Sequence, residues 1–464
     1  MPTACEREEG KAVTIIKNGT LVLPEGLSRA DLAFENGVIT RIAPVLEAGA
    51  GDEVCDAAGC LVFPGFIDGH THLDMDSGVT VTADDFESGT RAAVCGGTTT
   101  IADFATQDKG HTLCEALEAW HKKAEGRCTS NYAFHMAVTD WNERTRAELP
   151  LMREAGVTSF KAYYAYDNLR LDDAQMYELL CALRPMHGVL GVHCENGTLV
   201  NELQKEQLAK GVTGPAGHPA SRPPVVEAEA IRRLCAVAKL ADSPVHIVHL
   251  SSAEGLEEVR RARAAGQTVW AETCPQYLIL DDSRYALEGF EGAKYVMSPP
   301  LRSAADREAL RAAVRAGEID TISTDHCSYR FDTQKTFGRD DFTKIPNGAP
   351  GIEHRPALIY TSFVAAGELA PEDMCRLLAE NPAKLFGMWP RKGRLAEGAD
   401  ADITVWDPDA RWVIRATAQH QKVDYTPYEG FEVIGRPRAV YVGGELSAKD
   451  GEPTGMCAGR YVKR

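Results

Sequence analysis

The chain contains 464 residues, 44% hydrophobic and 25% charged, which is typical of globular proteins and long enough for a barrel with a smaller second domain. Its net charge of -17, from 50 basic and 67 acidic residues, argues against a nucleic-acid partner. Because no apolar run reaches 18 residues and residues 1–11 are polar, we expect neither a membrane span nor a signal peptide.

Short strand-like segments occupy both ends of the chain. The N-terminal ones are residues 13–17, 20–23, 32–35, 37–42 and 60–63, and the C-terminal ones are 402–406, 412–414 and 437–442. Asn18-Gly19 and Asn36-Gly37 are the residue pairs that tight hairpin turns require, and Gly443-Gly444 is a further turn. We therefore predict a composite β-sandwich domain formed by both termini, from residues 1–63 and 393–464.

The middle of the chain alternates strand-like and helix-like segments. Eight strands are predicted at residues 61–67, 98–104, 132–138, 158–163, 189–194, 245–250, 268–273 and 321–324. The helical stretches between them include residues 113–124, 172–187, 226–241, 253–265 and 304–316. This α/β pattern predicts a TIM (β/α)8 barrel over residues 64–392. A doubly wound open sheet is the alternative, but no glycine-rich phosphate-binding motif follows any strand.

Five of the predicted strands end in side chains that can bind a metal. His70 and His72 end the first strand, and because alternate side chains of a strand share a face, both rings can bind one ion. Strands four, five, six and eight end in Lys161, His193, His249 and Asp325. Since the C-terminal ends of barrel strands surround one mouth, we expect all six residues to converge on a shared site.

Four imidazoles and a carboxylate suit zinc, with manganese, cobalt or iron as alternatives. A lysine ammonium would repel a cation, but burial lowers the pKa of a lysine, and the neutral amine can add carbon dioxide to become a carbamate that bridges two metals. Lys161 is alternatively a core or substrate-binding lysine. His246 is expected to face the helices, and His326 to point away from the site or to support it from behind.

Four motifs resemble the dihydropyrimidinase and hydantoinase branch of the binuclear metal amidohydrolase superfamily. They are SFKAYYAY at residues 159–166, VMSPPLR at 296–302, TDHC at 324–327 and IPNGAPGIE at 345–353. The similarity extends from about residue 13 to residue 444. The resemblance implies two zinc ions bridged by an N6-carboxylysine at Lys161, with the other ligands divided between the ions as His70, His72 and Asp325 on one and His193 and His249 on the other.

The same resemblance implies the roles of the remaining site residues. A hydroxide held by the metals would attack the ring carbonyl, and Asp325 would pass its proton to the departing nitrogen. Tyr166 would donate to the oxyanion, although it is alternatively a stacked pocket aromatic. Main-chain groups of Ser298 and Asn347 would hold the ureide atoms of the ring.

The implied activity is hydrolysis of 5,6-dihydropyrimidines or 5-substituted hydantoins to N-carbamoyl amino acids, with a small cyclic ureide or imide as the ligand. Dihydroorotases carry an arginine where this chain has Asp74, two residues after the paired histidines. An allantoinase is an alternative, but Met75, Tyr163 and Tyr164 are expected to accept an apolar ring substituent. Another alternative is a non-catalytic scaffold protein, although such relatives have lost metal ligands.

The 13 cysteines include no CxxC pair. Several lie in apolar segments, namely Cys95, Cys181, Cys194 and Cys235. This pattern predicts buried free thiols in a reducing cytoplasm. The expected assembly is a homotetramer or a homodimer.

Overall fold

The computed structural model describes residues 13–464. The strands before the barrel are β1 (Thr14–Lys17), β2 (Thr20–Leu23), β3 (Gly26–Arg29), β4 (Asp31–Glu35), β5 (Val38–Ala43), β6 (Glu53–Asp56) and β7 (Leu61–Pro64). The barrel strands are β8 (Phe66–Thr71), β9 (Thr98–Thr106), β10 (Asn131–Ala137), β11 (Ser159–Tyr163), β12 (Val189–His193), β13 (Val245–Ile247), β14 (Val269–Thr273) and β15 (Thr321–Ile322). The C-terminal strands are β16 (Ile403–Val413), β17 (Glu432–Val442), β18 (Glu445–Lys449) and β19 (Glu452–Pro453).

The α-helices mostly follow barrel strands. They are α1 (Phe86–Cys95), α2 (Leu113–Ala124), α3 (Glu143–Glu154), α4 (Asp173–Leu183), α5 (Gly197–Ala209), α6 (Gly217–Ala220), α7 (Pro224–Ala241), α8 (Ala253–Ala264), α9 (Pro275–Ile279), α10 (Ala304–Arg315), α11 (Arg355–Ile359), α12 (Pro371–Cys375) and α13 (Asn381–Leu385). Single turns of 3-10 or π-helix lie at Arg184–Met186, Asp282–Ala286, Glu291–Tyr295, Lys335–Gly338, Phe342–Lys344, Tyr360–Val364, Arg376–Glu380 and Ala416–Ala418. Within residues 13–464, no helix combines the length and the apolar character needed to cross a membrane.

The strands β8 to β15 form a barrel of parallel neighbours in chain order. The barrel closes between its first and last strands, where His72 N donates to His326 O at 2.8 Å and Thr324 N donates to an Asp68 carboxylate oxygen at 3.0 Å. Because the strand order never reverses, the doubly wound alternative is wrong. The predicted TIM barrel is confirmed.

Both ends of the chain share one sheet, of order β19-β18-β17-β16-β7-β2-β3, which faces a four-stranded sheet of order β5-β4-β1-β6. Alternate side chains from both sheets, such as Leu32, Phe34, Val62, Ile403 and Val405, form an apolar core separate from the barrel. This arrangement confirms the predicted fold class. The exact domain boundaries stay a prediction, and residues 1–12 of the predicted first domain lie outside the described residues.

The hairpin between β4 and β5 has the predicted turn. Asn36 (φ 50°) and Gly37 (φ 79°) both adopt left-handed backbone conformations, as a two-residue type I′ turn requires.

The predicted first barrel strand, at residues 61–67, is wrong in one respect, because it is two strands in different sheets. The chain leaves β7 at Pro64 and enters β8 at Phe66. A side chain at Gly65 would place its Cβ within 2.7 Å of three side-chain atoms of Thr99, so only glycine fits this junction.

Candidate active site

The six predicted ligands lie at or just beyond the C-terminal ends of barrel strands. His70 belongs to β8, Lys161 to β11 and His193 to β12, whereas His72, His249 and Asp325 follow β8, β13 and β15 within three residues. Parallel strands of a barrel all end at one face, so these side chains meet at a single mouth.

His70, His72 and Asp325 bring three possible ligand atoms together. Asp325 Oδ1 lies 3.2 Å from Nε2 of His70 and 3.2 Å from Nε2 of His72. Two ligand atoms that bind one tetrahedral zinc ion at their usual distances lie roughly 3.3 Å apart. His70 Nε2 is buried and makes no hydrogen bond within the described part of the chain. This group of three residues therefore fits a single divalent ion.

His193 and His249 form a second pair of donors beside the first. His193 Nδ1 faces His249 Nε2 at 3.0 Å, again close to the distance between two ligands of one ion. The ring of His249 also lies 5.4 Å from the ring of His70, measured between centroids. Burial is the main effect that lowers the pKa of all three imidazoles, so each ring is neutral at pH 7 and keeps a lone pair.

Lys161 lies in the interior at this mouth and is almost fully buried. Its Nζ lies 5.0 Å from the centre of the Phe104 ring and 5.4 Å from that of Tyr163. Among residues 13–464, no side chain or carbonyl forms a hydrogen bond or ion pair with this Nζ. Burial lowers the pKa of Lys161 to about 8, although Asp325 and Glu272 act in the opposite direction. The Lys161 side chain forms no ion pair with the described residues, and its lowered pKa makes the reactive neutral amine more accessible.

Three residues at the mouth have left-handed backbone conformations without being glycine: Tyr166 (φ 67°), His249 (φ 40°) and Asp325 (φ 52°). Such conformations are uncommon for these residue types and persist where the surrounding structure holds them. They let the chain leave a strand and still direct a side chain into the mouth.

Two buried glutamates orient the histidines, and neither was among the residues predicted from the sequence. Glu272 Oε1 lies 2.8 Å from Nδ1 of His70, and Glu195 Oε2 lies 2.8 Å from Nε2 of His193. Each carboxyl group contacts the ring nitrogen that faces away from the possible ion, which fixes the direction of the imidazole. A signal existed in both cases, because Glu195 follows His193 by two residues and Glu272 lies near the C-terminal end of the barrel strand β14.

Glu195 also forms an ion pair with Arg222. Burial alone would raise the pKa of Glu195, but Arg222 and His193 outweigh it and lower that pKa to about 2. The carboxylate is thus charged at neutral pH and remains a firm acceptor for His193.

Tyr166 lies over His193, with 5.2 Å between the two ring centroids. The Arg222 guanidinium lies 5.8 Å from the centre of the Tyr166 ring. Burial raises the pKa of Tyr166, while Arg222 and the neighbouring Ser298 act against that rise. The phenol is therefore protonated at neutral pH and can donate a hydrogen bond into the mouth.

Ser298 and Asn347 lie on two loops that touch each other, since Gly348 N donates to Val296 O at 3.0 Å. Cys327, two residues after Asp325, contacts the main chain of Asn347 through its thiol at 3.7 Å. Within the described residues, the main-chain N–H and C=O groups of Ser298 and the N–H of Asn347 make no hydrogen bond. These groups are free to bind a polar ring.

Two predicted orientations are wrong. Tyr164 directly follows Tyr163, the last residue of β11, and points to the opposite side, where the centre of its ring lies 4.1 Å from the Arg233 guanidinium of α7 in the helix layer. His246 faces the barrel interior, where it lines a small cavity with residues from five other barrel strands, including His135 and Gly191. Since β13 ends at Ile247, His246 and His249 do not alternate along one strand, which is why the predicted orientation does not hold.

His326 is not part of the ligand cluster, as predicted. Its Nε2 lies 3.2 Å from a carboxylate oxygen of Asp84, and its Nδ1 accepts from the main-chain N–H of Gly351. The cysteines of residues 13–464 are free, with Cys95, Cys194 and Cys235 buried and Cys181 partly exposed.

The chain is similar to known proteins over nearly its whole length. Residues 61–447 match the model of the amidohydrolase family. The chain is 45% identical to a D-hydantoinase of Geobacillus stearothermophilus over 453 residues, 97% of this chain and 96% of that protein. A dihydropyrimidinase structure from Brevibacillus agri NCHU1002 matches with a TM-score of 0.95 and 41% identity, over 97% of this chain and 98% of the other. A D-hydantoinase crystal structure matches with a TM-score of 0.96 and 44% identity, over 97% and 99% of the two chains.

These matches cover nearly the whole chain and agree with the histidine and aspartate cluster at the barrel mouth. They confirm the resemblance that the four motifs indicated. The chain belongs to the amidohydrolase family, in the branch of cyclic amide hydrolases that contains the hydantoinases and dihydropyrimidinases.

Proposed function

We propose that this chain hydrolyses the ring amide of 5,6-dihydropyrimidines or 5-substituted hydantoins and releases N-carbamoyl amino acids. The main support is the short distance from Asp325 Oδ1 to Nε2 of both His70 and His72. The facing nitrogens of His193 and His249 lie beside this group. The D-hydantoinase and dihydropyrimidinase relatives support this class of ring.

We also propose that the site holds two divalent ions, zinc as first expectation, with manganese, cobalt or iron as alternatives. His70, His72 and Asp325 would hold one ion, His193 and His249 the other. Two ions bound here would polarise the ring carbonyl and lower the pKa of a bound water. A carboxylated Lys161 would bridge them, which is supported by its burial and by the lack of a partner for its amine among residues 13–464.

Asp325 is the proposed proton carrier. Its carboxylate lies 3.2 Å from Nε2 of both His70 and His72 and is partly exposed at the mouth, where a bound ring would meet it. It would accept the proton of the attacking water and release it to the ring nitrogen as the amide bond breaks, which spares the departing group a negative charge.

Tyr166 is the proposed oxyanion donor, because its protonated phenol lies beside Ser298 and over His193. Tyr166→Phe should lower kcat about a hundredfold, since one donor to the developing charge is lost. Tyr164→Phe is the matched control, because Tyr164 lies on the helix side of the barrel, and it should leave kcat unchanged. Steady-state kinetics of both variants and of the wild type would measure these effects. A rise in KM alone for Tyr166→Phe would instead mark this tyrosine as a binding contact.

We further propose that residues 1–63 and 393–464 form one domain and residues 64–392 another. We expect a cytoplasmic enzyme, supported by the free cysteines of the described residues, that assembles as a homodimer or homotetramer.

A substrate panel tests the proposed function. The purified chain, loaded with each candidate metal or stripped by a chelator, is given dihydrouracil, dihydrothymine, a 5-substituted hydantoin, allantoin and dihydroorotate. We expect turnover of dihydropyrimidines or hydantoins that is lost on chelation and restored by metal. A preference for allantoin or dihydroorotate would contradict the proposed ring class. No turnover together with no stoichiometric metal would indicate a non-catalytic scaffold.

A further inference from the structure

Lys335 is a second fully buried lysine and lies in the loop region that follows Asp325. Its Nζ donates to three main-chain carbonyls, those of Val296 at 2.7 Å, Pro346 at 2.6 Å and Gly348 at 2.7 Å. An ammonium group has three N–H donors, so all of them are used. Within residues 13–464, no carboxylate pairs with this charge.

The three carbonyls belong to the two loops that carry the free main-chain groups. Val296 precedes Ser298 by two residues, and Pro346 and Gly348 lie on either side of Asn347. One ammonium therefore fixes both loops at once. Its contacts add to the main-chain hydrogen bond that joins the loops, from Gly348 N to Val296 O.

Other buried side chains bind the carbonyls around Ser298. Tyr285 donates to Tyr295 O at 3.0 Å and Tyr277 donates to Pro299 O at 2.7 Å. His218 Nε2 lies 2.8 Å from Met297 O. Within residues 13–464, the carbonyls of residues 295, 296, 297 and 299 thus accept hydrogen bonds from the protein, whereas the carbonyl of Ser298 accepts none and is left for a ligand.

Burial of the Lys335 ammonium group is unfavourable for folding. Burial lowers the pKa of Lys335 to about 7, which shows how strongly the surroundings disfavour the ammonium form. An apolar side chain of similar volume would avoid that penalty. Burial of this charged group is unfavourable, and all of its N–H donors bind the two loops that face the ligand. Its role is therefore better explained by the placement of those loops than by stability alone.

We propose that Lys335 is a positioning residue that holds the main chain of Ser298 and Asn347 where it binds the ureide part of the ring. Lys335 itself does not touch the ring. This inference rests on the proposed function, because it takes a cyclic ureide as the ligand of those main-chain groups.

Lys335→Met tests the inference, since methionine keeps the approximate volume and removes all three donors. We expect KM for dihydrouracil or a hydantoin to rise at least tenfold, kcat to fall by a smaller factor and metal content to stay unchanged. Glutarimide, which lacks one ureide N–H, should be affected less. Lys344→Met is the matched control, because Lys344 lies beside the same loop but is exposed and pairs with Asp341, and its KM should match the wild type.

Lys335→Gln, which keeps two N–H donors, should show an intermediate KM, and it provides the test if the methionine variant does not fold. A merely structural role would reduce the folded fraction, so kcat would fall while KM stayed at the wild-type value. That result, or an equal rise in KM for Lys344→Met, would overturn the inference.

Failure of the proposed function would be recognised separately, because the wild type would then open none of the rings. In that case hydrogen exchange of the Gly348 amide decides the matter. Faster exchange in Lys335→Met than in the wild type and in Lys344→Met would support the positioning role, and equal exchange in all three would contradict it.

Discussion

Lys161→Ala should abolish ring opening and release metal from the purified enzyme. The lysine is buried at the barrel mouth and has no hydrogen-bond or ion-pair partner for its amine among the described residues, so as an ammonium it would only repel ions held by the neighbouring imidazoles. As a carbamate it would join the two halves of the ligand set. Metal ions contribute several kcal/mol to such reactions, so we expect kcat to fall roughly a thousandfold or more.

Metal analysis and kinetics on the same samples would measure this result. Acetate or propionate should restore part of the metal content and activity of Lys161→Ala by supplying the missing carboxylate. Lys205→Ala, which removes an exposed lysine of α5, serves as the control and should behave like the wild type. Wild-type activity with full metal content in Lys161→Ala would show that Lys161 is an ordinary core lysine.

Asp325→Asn should lower kcat by a larger factor than it lowers metal content. Asparagine keeps an oxygen between His70 and His72 but cannot carry the proton from water to the ring nitrogen. Loss of a positioned acid and base typically costs on the order of a hundredfold to ten-thousandfold in rate. Asp332→Asn, an exposed acid seven residues further on, should have no effect on either quantity.

Two other outcomes for Asp325→Asn would be informative. Near wild-type kcat would mean that another group carries the proton. A fall in kcat that matches the loss of metal would reduce Asp325 to a ligand.

Local sequence patterns predicted much of the fold. Helix α2 begins at Leu113 and ends at Ala124, as expected, because its apolar spacing is regular and Thr112 and Glu115 form a capping box. The six proposed ligands come from the same kind of signal, since each stands at or near the end of a run of strand-forming residues, and their assignment stays a prediction. The helix pattern and the strand-end pattern can each be recognised from residues that are close together in the sequence.

The missed features depend on contacts between distant segments. Helix α1 contains Ser88, Gly89 and Thr90, which are weak helix formers, and a Cβ at Gly89 would lie 2.4 Å from the Leu73 side chain, which would have to shift. Helix α3 contains Pro150. In both cases packing against the barrel overrides local preference, which sequence patterns do not report.

The buried polar groups around the site were missed for the same reason. Glu272 binds His70 from 202 residues away, and Lys335 binds the carbonyl of Val296 from 39 residues away. Neither residue belongs to any of the four motifs, although Lys335 lies between two of them. Only the closed barrel brings them to the ligands and loops that they hold.

The position of oxygen-18 in the product tests the central claim most directly. The ureide carbonyl is flanked by two donating nitrogens and is the poorer electrophile, and the main chain at Ser298 and Asn347 would hold it away from the attacking water. Opening a dihydropyrimidine or hydantoin in oxygen-18 water should therefore give an N-carbamoyl amino acid with the label in its new carboxylate, as read by mass spectrometry. Labelled carbon dioxide, or a free amino acid as the first product, would contradict the proposed reaction.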